Sequence, residues 1–197
     1  MDFPDLDSRR LFSFNYPHMK SKPQTGRRSY RHGKNKVYLQ PVDDVVAVRY
    51  ANSKEALREA LSTFGTVKEV EPQQLLMVQL RSSSDKEKVL DQVQSFIDTG
   101  AAESVVPVWR DEESQLLQVL TDEVTVRFKR ALPKKEREQV EKKFGFTIAR
   151  QNEFVPNQFV VKVPVSRGVD VLKVANDLDA DDDVEFATPN FVSEHRR

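Results

Sequence analysis

Along the chain the apolar positions switch between a period of two and a period near 3.6, and the order of the switches repeats. Val46, Val48 and Tyr50 alternate with Ala47 and Arg49, which predicts a half-buried strand. Leu57, Ala60, Leu61 and Phe64 follow at helical spacing, with Ser53 where an N-cap belongs and Gly65 where a left-handed stop is wanted. Leu75 to Leu80 reads as the next strand. Ser84-Asp85-Lys86-Glu87 has the form of a capping box, and Val89, Val93, Phe96 and Ile97 make an apolar stripe that Gly100 ends. Val105-Val106-Pro107-Val108-Trp109 then closes the set as one strand, its proline favouring an edge or a strand end.

The second half answers the first. Val124, Val126 and Phe128 stand 78 residues after Val46, Val48 and Tyr50. Phe144-Gly145 lies 80 residues after Phe64-Gly65, and Val171-Leu172 and Pro189 lie 82 after Val89-Leu90 and Pro107. A small drift in offset is what short loop insertions between two copies leave behind. Pro133 suits the first turn of a helix whose buried side is Val140 and Phe144 and whose stop is Gly145. Phe159 to Val163 is a strand; Val171, Val174, Ala175 and Leu178 stripe a second helix; Asp181-Asp182-Asp183 turns into Val184-Glu185-Phe186-Ala187. Thr147 to Arg150 leaves room for a further strand, giving βαββαβ. The expected fold is therefore α+β: two tandem ferredoxin-like modules, each an antiparallel sheet with two helices on one face. The expected boundaries are a disordered basic tail at 1–36, a first module at 37–112 and a second at 113–197. Leu116, Leu117 and Val119 could add a strand at the junction, so that the modules pack together.

Composition narrows the chemistry. Residues 1–36 hold nine Lys/Arg against three Asp/Glu and keep no period. They read either as an arm for RNA, DNA or an acidic partner or as a solvated extension. The whole chain balances 31 basic against 31 acidic residues, so no global field points to nucleic acid or to a membrane. With no cysteine there is no disulfide framework, thiolate metal site or cysteine nucleophile. No apolar run approaches the ~20 residues that cross a bilayer. The first residues do not read as a secretory signal, and the cytoplasm is the default address. His18, His32 and His195 fall outside the periodic segments, so neither a metal cluster nor a Ser-His-Asp set assembles from them. Asp181 to Asp183 lacks the alternating ligands of a calcium loop, and no cofactor is expected. Trp109 and Phe191 read either as partner anchors or as aromatics that cover the core.

Three segments of the second copy carry a resemblance. Thr121-Asp122-Glu123-Val124-Thr125-Val126-Arg127-Phe128, Phe144-Gly145-Phe146 and Asp183-Val184-Glu185-Phe186-Ala187-Thr188-Pro189-Asn190-Phe191 resemble bacterial subtilisin-like protease prodomains of the fervidolysin type. The resemblance covers about residues 119–194; the first copy keeps the layout without the signatures. It implies a non-catalytic prodomain that acts as folding chaperone and active-site inhibitor of a subtilisin-like serine protease, in cis or in trans. It further implies that Phe191, Val192, Ser193, Glu194, His195, Arg196 and Arg197 lie in or lead into the cleft. Glu185 is then either a cap for a helix N-terminus of the protease or an ordinary strand residue facing water. The catalytic His-Gly-x-His and Gly-Thr-Ser signatures are missing from these residues, and Arg196-Arg197 resembles a dibasic processing point as in kexin-like proteases. Alternatives of other kinds are a ferredoxin-like regulatory or RNA-binding module and a truncated precursor without independent activity. Nucleic acid would be held through the basic tail; no membrane partner is expected, and the oligomeric state is not specified by the sequence.

Overall fold

The computed structural model describes residues 28–33, 35–51, 54–71, 73–165 and 170–193. In chain order the strands and helices are β1 (Arg28–His32), β2 (Asn35–Pro41), β3 (Val45–Tyr50), α1 (Glu55–Ser62), β4 (Gly65–Val70) and β5 (Leu75–Leu80). A 3-10 turn (Ser83–Asp85) leads into α2 (Lys86–Asp98), followed by β6 (Ala102–Val106), β7 (Val108–Asp111) and β8 (Leu117–Phe128). Then come α3 (Lys134–Phe144), β9 (Thr147–Gln151), β10 (Gln158–Lys162), α4 (Val171–Asp179) and β11 (Val184–Ser193). The fold is mixed α and β, with antiparallel sheets and, among the described residues, four α-helices.

Two sheets form. The smaller orders its strands β4-β5-β3-β6; the larger runs β1-β2-β7-β8-β10-β9, with β11 also on β8. Within β3 to β6 and within β8 to β11 the elements run strand, helix, strand, strand, helix, strand. In both, the strands lie side by side as fourth, first, third, second, all antiparallel.

Helix packing follows the apolar spacing. Leu57 and Leu61 of α1 and Val89 and Val93 of α2, each pair four residues apart, are fully buried on Val46, Val48, Leu76 and Val78 of the first sheet. Each such leucine contributes about 1.5–3 kcal/mol of burial. Helix α4 buries Val171, Leu172, Val174, Ala175 and Leu178 on Val124, Val126, Phe159 and Val161. Asp170 caps α4 by accepting from the backbone N–H of Leu172 and Lys173, and also pairs with Arg28. Helix α3 buries no residue fully; Val140 and Phe144 rest on the core's edge, and Gly145, at φ +70°, turns the chain away.

The structure departs from the sequence reading at several points. Arg28–His32 and the residues from Asn35 on do not belong to a tail: β1 pairs with β2 over Arg28 to His32, and Tyr30 is buried. The period there was invisible because the apolar partners of Tyr30 lie far along the chain, Phe191 among them, 5.1 Å between ring centroids. Residues 1–27, with His18, lie outside the described residues.

The boundary at 112 also moves. Strands β2 and β7 pair with each other and β7 with β8, so residues 35–41 and 108–111 belong to the second sheet. The single strand expected over Val105 to Trp109 is broken at Pro107, which has no N–H to donate, and its halves enter different sheets. Strand β4, implied by a βαββαβ order, had been given no residues in the first half. Its first residue, Gly65, is no left-handed stop: a Cβ there would sit 2.0 Å from Gln79 O, so glycine allows β4 to approach β5. The capping box at Ser84 is displaced. Ser82 accepts from Ser84 N and starts the 3-10 turn, while α2 begins after Asp85 without a side-chain cap. Pro133 precedes α3 as its N-cap. Ser53 lies outside the described residues. The strand expected from Leu116, Leu117 and Val119 is present as the first part of β8, which runs for 12 residues.

Candidate functional site

Alternation along β8 gives its sheet two unlike faces. Val124, Val126 and Phe128 point to the helices, whereas Glu123, Thr125 and Arg127 point away and are half-buried. On the outer face these side chains hold one another. Arg150 of β9 donates from both terminal nitrogens to Glu123, each at 3.3 Å. Asn190 of β11 donates to Glu123 at 3.2 Å and accepts from Thr125 at 2.8 Å. Thr121 donates to the Asn190 carbonyl at 2.8 Å. Asn190 sits where the β8–β11 register shifts, between Pro189 and Phe191, so its side chain supplies polar bonds at an irregular point of the ladder.

Glu185 is on the same face and about half exposed, with Oε2 3.0 Å from Arg127 Nε. The sequence left it as either a cap for a partner's helix or a strand residue facing water; the structure places it in an ion pair. Beside this face, Lys162 approaches Asp122 at 3.3 Å. Carboxylates and cations are thus balanced, and few apolar side chains interrupt them. The Asp181 to Asp183 turn is internally satisfied: Lys143 and the Asp183 N–H bond to Asp181, which holds its carboxyl below the usual range, Lys143 being the larger cause. Among the described residues no group of three or more His, Cys, Asp or Glu is placed to hold a metal ion.

The other expected residues fall at the end of β11. Phe191 is paired with Leu120, Val192 with Val119 and Ser193 with Gln118. The Ser193 hydroxyl donates to Gln118 Oε1 at 2.7 Å. None of the three is a free extended tail: Phe191 packs under Tyr30, and Val192 enters a separate apolar cluster. Glu194, His195, Arg196 and Arg197 lie outside the described residues. Trp109 is 1% exposed and sits in the core, which decides for the covering role. A cleft of about 370 Å³ between β1 and α4 is lined by Tyr30, Arg31, Lys36, Asn176 and Asp179. Its groups are engaged with one another, Asn176 donating to the Ser29 carbonyl and Arg31 standing 3.7 Å from Asp179. The sequence reading missed Tyr30, Thr121 and Asn190 as working parts. Only for Asn190 was there a signal, an amide beside a proline in the middle of a strand.

The arrangement is a sheet with one helix-covered face, one polar open face and a long last strand. Residues 112–190 match the family described as the fervidolysin N-terminal prodomain, which supports a subtilisin-like protease prodomain. No curated protein and no solved structure matches the chain.

Proposed function

We propose that the chain is a non-catalytic prodomain of a subtilisin-like serine protease, acting in cis or in trans as folding chaperone and active-site inhibitor. The observation that carries this reading is the family match over 112–190, whose last residues lie within β11. The open polar face of β8, β9, β10 and β11 rests on the surface of the protease, and the chain beyond Ser193 enters the cleft as an added strand. A partner that binds only the folded protease stabilises it, and occupancy of the cleft blocks substrate. Because β11 is paired as far as Ser193, Phe191, Val192 and Ser193 set the direction of exit, and Glu194 to Arg197 make the first contacts. Glu185 reaches a helix N-terminus of the protease by exchanging its exposed bond to Arg127.

The layout of β3 to β6 supports a further part of the reading, that the chain holds two ferredoxin-like prodomain copies. Val46 faces Val78 and Val48 faces Leu76 across β3 and β5; Val124 faces Val161 and Val126 faces Phe159 across β8 and β10. An RNA-binding reading finds less support, because the open face presents Thr, Glu, Arg, Gln and Val instead of aromatic stacking platforms. The test is a titration of subtilisin-type protease activity with the full chain. Inhibition that weakens at least tenfold on removal of residues 194–197 is expected. Equal potency without them would overturn the cleft mechanism.

A further inference from the structure

The two copies share registers, so the residues of their outer faces correspond one to one. Ala47 faces Met77 where Thr125 faces Val160, and Arg49 faces Leu75 where Arg127 faces Gln158. In the second copy this face is polar and half-exposed. In the first its centre is apolar and closed: Val45, Ala47, Leu75 and Met77 are all buried, at 7% exposure or less, with Arg49 half-buried and Gln79 exposed at its edges. Buried in one cluster with it are Val108 of β7 and Val119 of β8, and packed against that cluster is Val192 of β11, the three valines in register with one another. Phe191 points the other way, under Tyr30. The last residues of β11 are therefore held on both faces by elements outside the matched segment.

We infer that the first copy is a brace docked in cis, not a second protease-binding module: its sheet face grips the valine row that ends β11, leaving the chain one docking face and one protease per chain. The stoichiometry rests on the proposed function; the brace does not. An apolar sheet face of this kind loses burial if it opens, so the contact is permanent in the folded chain. Loosening it must be felt at the strand end, since Val192 is the terminal contact of that row.

Two measurements on the full chain test the inference. Native-state amide exchange by NMR is compared for wild type, Met77→Ala and Val192→Ala. Met77→Ala should accelerate exchange at residues 191–193 roughly tenfold or more while α1 and α2 keep their protection. Val192→Ala, the milder change, should reciprocally accelerate exchange in β3 and β5. Unchanged rates across the contact in both variants would overturn the brace. Calorimetric titration with a subtilisin-type protease whose nucleophile is replaced by alanine should saturate at one protease per chain. Two would overturn the inference, whereas no binding would count against the proposed function and leave the exchange result to decide the brace.

Discussion

Gly65 and Gly145 both follow a phenylalanine at a helix end, yet replacing each by alanine and by asparagine should separate two physical roles. At Gly145 φ is +70° and nothing lies within 4 Å of a Cβ. Alanine there costs only the left-handed backbone, about 1 kcal/mol, and asparagine, which tolerates that region, costs less. At Gly65 a Cβ would meet Gln79 O at 2.0 Å, Gln79 C at 2.8 Å and Leu80 Cα at 3.1 Å. A relaxed carbon–oxygen contact is about 3.3 Å, so β4 and β5 must part by about 1.3 Å where Gly65 faces Leu80. The obstacle is backbone and cannot swing aside. The ladder at that point opens, and the expected cost is about 3 kcal/mol. Asparagine, which brings the same Cβ, should be at least as damaging. Urea denaturation followed by circular dichroism gives the four values, and each 1 kcal/mol should also lower Tm by about 2–4 °C. Gly65→Asn milder than Gly65→Ala would refute the close-approach account and restore Gly65 as a left-handed stop. So would a Gly65→Ala cost no greater than that of Gly145→Ala.

Further outcomes follow from other contacts. Tyr30→Ala should destabilise the chain by about 3 kcal/mol, because it empties a buried ring site against Phe191, while Tyr30→Phe should cost under about 1 kcal/mol; equal melting curves for wild type and Tyr30→Ala would dismiss β1 as a strap. Lys54, and then Tyr50, bond to Glu69 and lower its pKa from 4.5 to about 2, so its stabilisation is complete above the unfolded value and drains away as pH falls from about 4.5 towards 2. Glu69→Gln should flatten acid unfolding in that window, and an unaltered acid profile would show that the bonds do not persist in solution. Since the chain has no cysteine, Gln118→Cys with Ser193→Cys gives a clean cross-link between facing residues. The oxidised form should keep its inhibition, and loss of inhibition that reduction restores would show that β11 must peel from β8 to reach a cleft.

The segment from β8 to β11 was legible because its signals are local. Period-two strands at Val124 to Phe128 and Phe159 to Val163, a helix stop at Gly145 and a striped helix from Val171 each declare themselves within a few residues. What escaped depends on distant partners. Tyr30 is the only large apolar residue in a five-residue strand, and nothing near it indicates that Phe191 lies above it. Gly65 carries the same local context as a helix stop, and only the carbonyl of Gln79 shows that it serves a strand. Pro107 sits in what reads as one apolar run, and the split appears only when β7 is seen pairing with β2 and β8. At the candidate site the motif residues were found but not their engagement. Glu185 was read as a partner's helix cap or a strand residue facing water, and its ion pair with Arg127 of the neighbouring strand β8 was not foreseen.

That engagement bears on how the open face can work. Glu123 with Arg150 and Glu185 with Arg127 are partly exposed pairs at 3.0–3.3 Å, and pairs of this kind contribute about 0–1 kcal/mol each. Exchanging one for a bond to a partner therefore costs little, so the pairs do not hold the face shut. Covering it without exchange takes both charges of each pair out of water, a cost that only close geometry and further hydrogen bonds offset. A face built this way attracts no partner by net charge. Discrimination must then come from shape and from the strand that leaves it. In the smaller sheet the positions registered with Glu123, Thr125 and Val160 are Val45, Ala47 and Met77, and they pack within the chain. Alternate residues on paired strands thus decide whether a sheet face stays open and polar or is covered within the chain.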